Sequence, residues 1–285
     1  ATAVTPEGRI SDRDLGIWDD AQIPGLAELV RLIHGGGAAA GIQLAHAGRK
    51  SGSASRPLIG PSAVAFDEKS RVPKEMDASD IARVVAAFRD GAARALAAGF
   101  DLVEVHAAHG YLLHGFLSPV SNQRADGYGG STENRARLLL EVLDAIRSVW
   151  PEDKPIQVRL SASDYLARGL DIEETIRIVH LIRDKADLFH ISSGGVAPAP
   201  IRAYPGYQTG FSEAVRTACG VPTIAVGLIT SLEQAEETLS AGRADLVALG
   251  RELLRDPYWP VRQKLRVPDL AIPVPEPYGR GFHIG

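Results

Sequence analysis

The chain has 285 residues, 45% of them apolar, a formal charge of −4 and a single cysteine, Cys219. That length can bury one large core, the weak acidity gives no reason to expect nucleic acid or an anionic membrane surface as partner, and one cysteine excludes an internal disulfide framework. No apolar run approaches the roughly 18 residues of a membrane span and no basic-then-apolar leader opens the chain, so a soluble, single-domain protein of the reducing cytoplasm is expected.

In chain order, Thr2–Val4 reads as the end of a strand entering a loop at Thr5–Gly8. The first complete strand is Gly41–Ala45, with Gln43 set between Ile42 and Leu44. Residues Ile81, Val84, Val85, Phe88, Ala92 and Ala95 then follow helical spacing over Ser79–Ala97, with Asp77 or Ser79 as N-cap. Strand Asp101–His106 follows, and Ser131 opens a helix carrying Leu138–Leu140, Val142, Leu143 and Ile146. Strand Ile156–Leu160 precedes a helix capped by Asp171, and strand Leu188–Ser192 comes next. Strand Thr223–Val226 precedes a helix capped by Ser231 that stops before Gly242, a residue suited to left-handed termination, and Leu246–Leu249 is the last strand. Prolines 268, 273, 275 and 277 then argue against helix or strand, so residues 268–285 read as an extended arm.

Strands alternating with helices predict a parallel sheet of right-handed βαβ units. An open sheet gathers its chemistry at one switch point, whereas a barrel gathers it from many strand ends at one face. His106, Arg159, Ser192, Gly227 and Gly250 stand at the C-terminal ends of five different strands. A TIM (β/α)8 barrel is therefore predicted, as one domain over residues 1–285. Six clear strands and the tail of a seventh leave about one and a half βα units to be supplied ahead of Ala1, the first strand and part of the second.

His106-Ala-Ala-His109-Gly-Tyr111 follows directly on an apolar strand. Two imidazoles at that spacing can donate to one carbonyl or nitro oxygen, and Tyr111 can deliver a proton to carbon. The same residues could instead be structural hydrogen-bonders, or metal ligands together with His46 and His114 in a hydrolase. Arg159 lies in an otherwise apolar strand and needs an anionic partner, either a carboxylate such as Glu104 or a cofactor that becomes negative. Gln43 can donate and accept at once, which suits a heterocycle edge. Ala225-Val226-Gly227, Gly250-Arg251 and Ser192-Ser193-Gly194-Gly195 offer backbone donors and a charge for a phosphate, or merely tight turns.

Read together, Pro6-Glu7-Gly8-Arg9-Ile10, Gly41 to Lys50, His106 to Leu112, Phe116-Leu117-Ser118-Pro119, Tyr128 to Arg135 and Gly250 to Leu254 resemble the Old Yellow Enzyme family, in its bacterial thermophilic-like, xenobiotic reductase branch. The resemblance implies an FMN-dependent ene-reductase, reduced by NADPH or NADH, acting on enones, maleimides or nitro compounds. Gln43 and Arg159 would contact the flavin's pyrimidine edge, Ala1 would lie beside the ring, and Ser193, Gly227, Gly250 and Arg251 would surround the phosphate. His106 and His109 would bind the acceptor's electron-withdrawing group and Tyr111 would protonate the α-carbon. A homodimer or a tetramer built of dimers is implied, with Arg280 reaching a partner's substrate pocket. The family's first strand, with the cysteine it brings near the flavin, has no counterpart here, and Cys219 cannot replace it. Iron–sulfur relatives such as dienoyl-CoA reductases or amine dehydrogenases fit one cysteine poorly.

Overall fold

The computed structural model describes residues 1–52, 57–267, 269–270 and 272–282; Pro268, where the predicted arm begins, lies outside them. Ten short strands are described: β1 (Thr2–Ala3), β2 (Leu15–Gly16), β3 (Gly41–Ala45), β4 (Ile59–Gly60), β5 (Lys74–Glu75), β6 (Leu102–Ala107), β7 (Ile156–Ser161), β8 (Leu188–Ser192), β9 (Thr223–Ala225) and β10 (Leu246–Val247). The helices are α1 (Ile23–Gly35), α2 (Ala78–Ala97), α3 (Leu112–Leu117), α4 (Thr132–Arg147), α5 (Ile172–Ile182), α6 (Thr209–Cys219), α7 (Leu232–Ser240), α8 (Arg251–Arg255) and α9 (Trp259–Gln263). No described helix is long and apolar enough to cross a membrane.

Eight strands form one sheet in the order β10-β9-β8-β7-β6-β3-β1-β2, and every recorded pairing in it is parallel. This is the all-parallel α/β arrangement of a TIM-type barrel, with β2 and β10 as its two edges. β4 and β5 pair apart from it. A parallel sheet covered by helices buries one face of every strand, and side chains alternate between faces. Val103, Val105, Val158, Leu160, Phe189 and Ile191 accordingly point to the helices and are buried. They join Phe88, Phe116, Leu138, Leu139, Ile146 and Trp150 in one core.

Local capping sets where the helices start. Asp77 and Asp80 form a reciprocal capping box on α2, while Ser131, Asp171 and Ser231 accept from Asn134, Glu174 and Gln234 N–H on α4, α5 and α7. Each such cap contributes about 1 kcal/mol. These are the starts predicted from sequence, and Gly242 takes the expected left-handed conformation at φ 70°.

Other elements differ from expectation for physical reasons. α1 was not anticipated; of its apolar residues it buries Leu26 and Val30 and leaves Leu29, Leu32 and Ile33 exposed. α3 is buried at all six positions and so has no amphipathic period to read. β10 is two residues rather than four because it is an edge strand paired only with β9, and Leu246 is half exposed. The proline-rich arm is not wholly extended: Glu276–Gly281 forms a 3-10 helix with Pro277 in its first turn, where a fixed φ and a missing N–H cost nothing.

Candidate active site

The inner face of the sheet is polar. In register, Gln43 stands opposite Glu104 and Glu104 opposite Gln157; one pleat further on, His106 stands opposite Arg159 and Arg159 opposite His190. Two polar layers therefore lie one above the other inside the strands. Glu104 is the centre of the lower one: it accepts from Nε2 of Gln43 and Nε2 of Gln157, and Oε2 lies 2.8 Å from Nδ1 of His190. Burial pushes this carboxyl up, but His190, with Arg159 and Gln43 helping, outweighs that and holds it below the usual range.

Glu104 is thus occupied, and it makes no ion pair with Arg159. Nε of Arg159 is buried without a hydrogen-bond partner. Burial lowers the guanidinium's pKa while Glu104 acts on it only through charge. Of the two partners open from sequence, a carboxylate such as Glu104 or a cofactor, the carboxylate is committed elsewhere. Arg159 faces a cavity of about 440 Å³, which Ser193, Gly227, Gly250 and Arg251 also line. Four strand ends and their loops meet there, as the barrel reading predicts. Gly227 sits at φ 145°, a conformation that side-chain-bearing residues rarely adopt, and a Cβ on it would make a tight 3.1 Å contact with the Gln208 backbone nitrogen.

His109 borders the same cavity. Its ring stands 5.2 Å from that of His106, nearly perpendicular at 88°, and the Tyr111 ring lies 4.9 Å from His106 at 86°. Burial, then the charges of neighbouring groups, holds both imidazoles well below the ordinary histidine pKa, so both are neutral near pH 7. Nδ1 of His106 accepts from Ala108 N–H at 3.3 Å, which leaves its proton on Nε2. Burial, then the charge of Asp14, raises the Tyr111 phenol, which keeps its proton.

The three predicted chemistry-bearing residues are therefore brought together. Gln43 donates through its Nε2 to Glu104. Ala1 stands immediately before β1, which pairs with β3. Arg280 is exposed on the 3-10 helix and is not among the residues lining this cavity. The histidines do not converge as a metal site. His46 is buried and held to about 4 by desolvation, with Nδ1 accepting from Gly48 N–H, and His114 faces Asp164. Among the described residues no group of three or more His, Cys, Asp or Glu is placed to hold a metal.

Sequence reasoning passed over several residues of the site. Lys50 donates to His109 O at 2.8 Å and Gly195 O at 2.9 Å and lies over the Tyr111 ring at 5.1 Å. Burial, then the charge of Arg49, pulls its pKa down to about 8. Its signal was adjacency to Arg49, a basic pair shortly after the Gly41–Ala45 strand. Tyr207, Gln208, Thr230 and Arg255 also line the cavity and had no distinguishing spacing.

Comparison with known proteins agrees with this geometry. The profile of the NADH:flavin oxidoreductase / NADH oxidase family matches residues 1–269. An NADPH dehydrogenase of Clostridium acetobutylicum is 52% identical over 99% of this chain and 84% of its own length. One from Geobacillus thermodenitrificans is 56% identical over 99% and 82%. Among solved structures, morphinone reductase superposes with a TM-score of 0.78 at 31% identity, covering 97% of this chain and 78% of that one. A 2-naphthoyl-CoA reductase superposes with a TM-score of 0.87 at 27% identity, but this chain spans 44% of its length. The chain belongs to the NADH:flavin oxidoreductase / NADH oxidase family, as an enzyme of the Old Yellow Enzyme type.

Proposed function

We propose that the chain is an FMN-dependent ene-reductase that takes electrons from NADPH, or NADH, and reduces C=C bonds conjugated to a carbonyl or nitro group. The observation that carries this reading is that Arg159, whose buried Nε has no partner among the described residues, shares a cavity with the neutral imidazole of His109, against which the neutral His106 ring packs. FMN suits the residues present: Arg159 offers an unpaired positive group for an anionic reduced flavin, and Ser193, Gly227, Gly250 and Arg251 offer donors for a phosphate. Bound FMN supplies hydride to the β-carbon of the acceptor.

The remaining chemistry belongs to side chains. His106 donates through Nε2–H to the acceptor's oxygen. His109 joins it through Nδ1–H when Ser192 Oγ, 2.8 Å from its Nε2, donates into that nitrogen. Neutral donors fixed before the reaction stabilise charge as it accumulates on that oxygen and need no reorganisation. Polarising the oxygen makes the β-carbon electrophilic. Tyr111, protonated and edge-on to His106, gives its Oη proton to the α-carbon. Arg280 of one copy enters the substrate pocket of a second copy in a homodimer, or in a tetramer built of dimers; its exposure on a short, self-contained turn supports this.

Arg159→Met is expected to lower the flavin's midpoint potential or to release FMN, because the anionic reduced form loses its countercharge. Redox titration of the variant checks this, and unchanged flavin content and potential would contradict it. Replacing His106 and His109 together with Ala should leave flavin binding intact while reoxidation of reduced flavin by 2-cyclohexenone slows at least about a hundredfold, the scale of losing oxyanion donors. Stopped-flow absorbance measures that step, and an unchanged rate refutes the assignment. Truncation after Pro275 should weaken self-association and raise the KM for enone with FMN retained; sedimentation with steady-state kinetics tests it, and unchanged values for both would leave Arg280 without a role.

A further inference from the structure

His109 is held in a conformation that its side chain disfavours. Its φ is 59°, in the left-handed region, and Gly110 follows at φ 73°. For a residue with a Cβ this costs roughly 1–3 kcal/mol and persists only where the surroundings enforce it. Gly110 can be nothing else: a Cβ there would fall 2.2 Å from Gly195 O. The enforcing contacts are few. His109 N–H donates to Ser161 Oγ at 2.9 Å, His109 O accepts from Lys50 Nζ at 2.8 Å, and Gly110 N–H donates to Nδ1 of His114 at 2.7 Å.

The last of these has a structure of its own behind it. His114 and Asp164 are both fully buried, and Nε2 of His114 stands 3.1 Å from Oδ1 of Asp164. The two atoms are at ion-pair distance without the geometry of a hydrogen bond, and neither has a hydrogen-bond partner among the described residues, so Asp164 acts on the ring through its charge. The other carboxylate oxygen, Oδ2, accepts from Ser118 Oγ at 2.7 Å and from Leu170 N–H at 2.8 Å. Burial raises this carboxyl, but His114, Ser118 and Leu170 N–H together outweigh it and keep it ionised. A backbone N–H has one direction of donation, so Nδ1 of His114 must be the bare nitrogen. Its ring proton is then on Nε2, facing the carboxylate. The chain of contacts from Asp164 through His114 to Gly110 ends one residue from the His109 imidazole.

We propose that His114, fixed in its Nε2–H tautomer by Asp164, is a positioning residue that holds the left-handed turn at His109–Gly110 and so aims the His109 ring at the acceptor's oxygen. The inference rests on the proposed role of His109. It does not require His114 to touch substrate, from which α3 keeps it buried. It also assigns a reason for a carboxylate with no solvent exposure. Asp164 selects which nitrogen of His114 is bare, as carboxylates elsewhere set imidazole tautomers.

Three variants of the FMN-loaded protein separate this from a merely structural role. His114→Leu removes the acceptor for Gly110 N–H. His114→Asn puts a side-chain oxygen where Nδ1 lies. Asp164→Asn acts on the tautomer: buried Leu170 N–H keeps the amide oxygen, so the amide NH2 turns to His114 Nε2 and drives the ring proton onto Nδ1, against Gly110 N–H. The expected result is a fall in kcat/KM for 2-cyclohexenone of roughly 10²-fold for His114→Leu and Asp164→Asn, the scale of misplacing a catalytic group by about 1 Å. The loss should appear largely in KM, with FMN content unchanged, and His114→Asn should recover most of it. Wild-type kinetics in Asp164→Asn, or equal damage from Leu and Asn at position 114, would overturn the proposal. Nitrogen-15 shifts of the histidine rings supply a readout free of turnover. His114 should show a bare Nδ1 in the wild type and a protonated Nδ1 in Asp164→Asn, with the His109 shifts moving as well. Unmoved His109 shifts overturn the positioning role even if the wild type leaves 2-cyclohexenone untouched, an outcome that would itself sink only the ene-reductase reading.

Discussion

Glu104 decides what the interior of this sheet can do. It sits where an unpaired charge would cost several kcal/mol, and Gln43, Gln157 and His190 take up its oxygens. Because those partners come from three neighbouring strands, the carboxylate also ties β3, β7 and β8 to β6 at one level. Its saturation has a second effect. Arg159, one pleat higher, is left with a buried Nε that nothing in the described chain satisfies. A cation in that position favours any anion that enters the cavity, and the family's flavin becomes such an anion when reduced. The polar layer below therefore keeps the charge above it available for the cofactor.

The second constraint is steric. Gly110 and Gly195 lie against each other so closely that a Cβ on Gly195 would stand 2.7 Å from the Cα of His109. The loops after β6 and β8 are in this way interlocked, and Lys50 donates to a carbonyl on each of them. The imidazoles that meet the acceptor thus rest on a turn locked from several sides rather than on a loop free to shift. Strain at His109 is consistent with a group held ready for reaction, since the surroundings and not the residue's own preference set its conformation.

Much of this was legible in the sequence. Four N-caps and six strands were visible because each rests on local chemistry: a side-chain oxygen before an amphipathic run, or a short apolar run between turns. The His106, His109 and Tyr111 cluster was visible because its spacing at a strand end has few structural explanations. The partners of buried polar groups were not. Whether Arg159 pairs with Glu104 depends on how many donors from other strands reach that carboxylate first, and no single strand records this. That Gln43 stands opposite Glu104 and donates to it was hidden for the same reason. His114 looked like a spare metal ligand because nothing near it in the chain announces Asp164, fifty residues on. α3 was missed because burial on every side erases periodicity.

The account depends on one claim, that electrons from the nicotinamide reach the β-carbon of a conjugated acceptor through a flavin held by Arg159 and its neighbours. The most direct measurement is a single anaerobic turnover of the purified protein with NADPH deuterated at C4, followed by 2-cyclohexenone and analysis of the product. The predicted result is a flavin spectrum bleached by the reductant and restored by the enone, with deuterium at the β-carbon of cyclohexanone. A colourless protein, or a flavin that NADPH bleaches and 2-cyclohexenone leaves bleached, would contradict it.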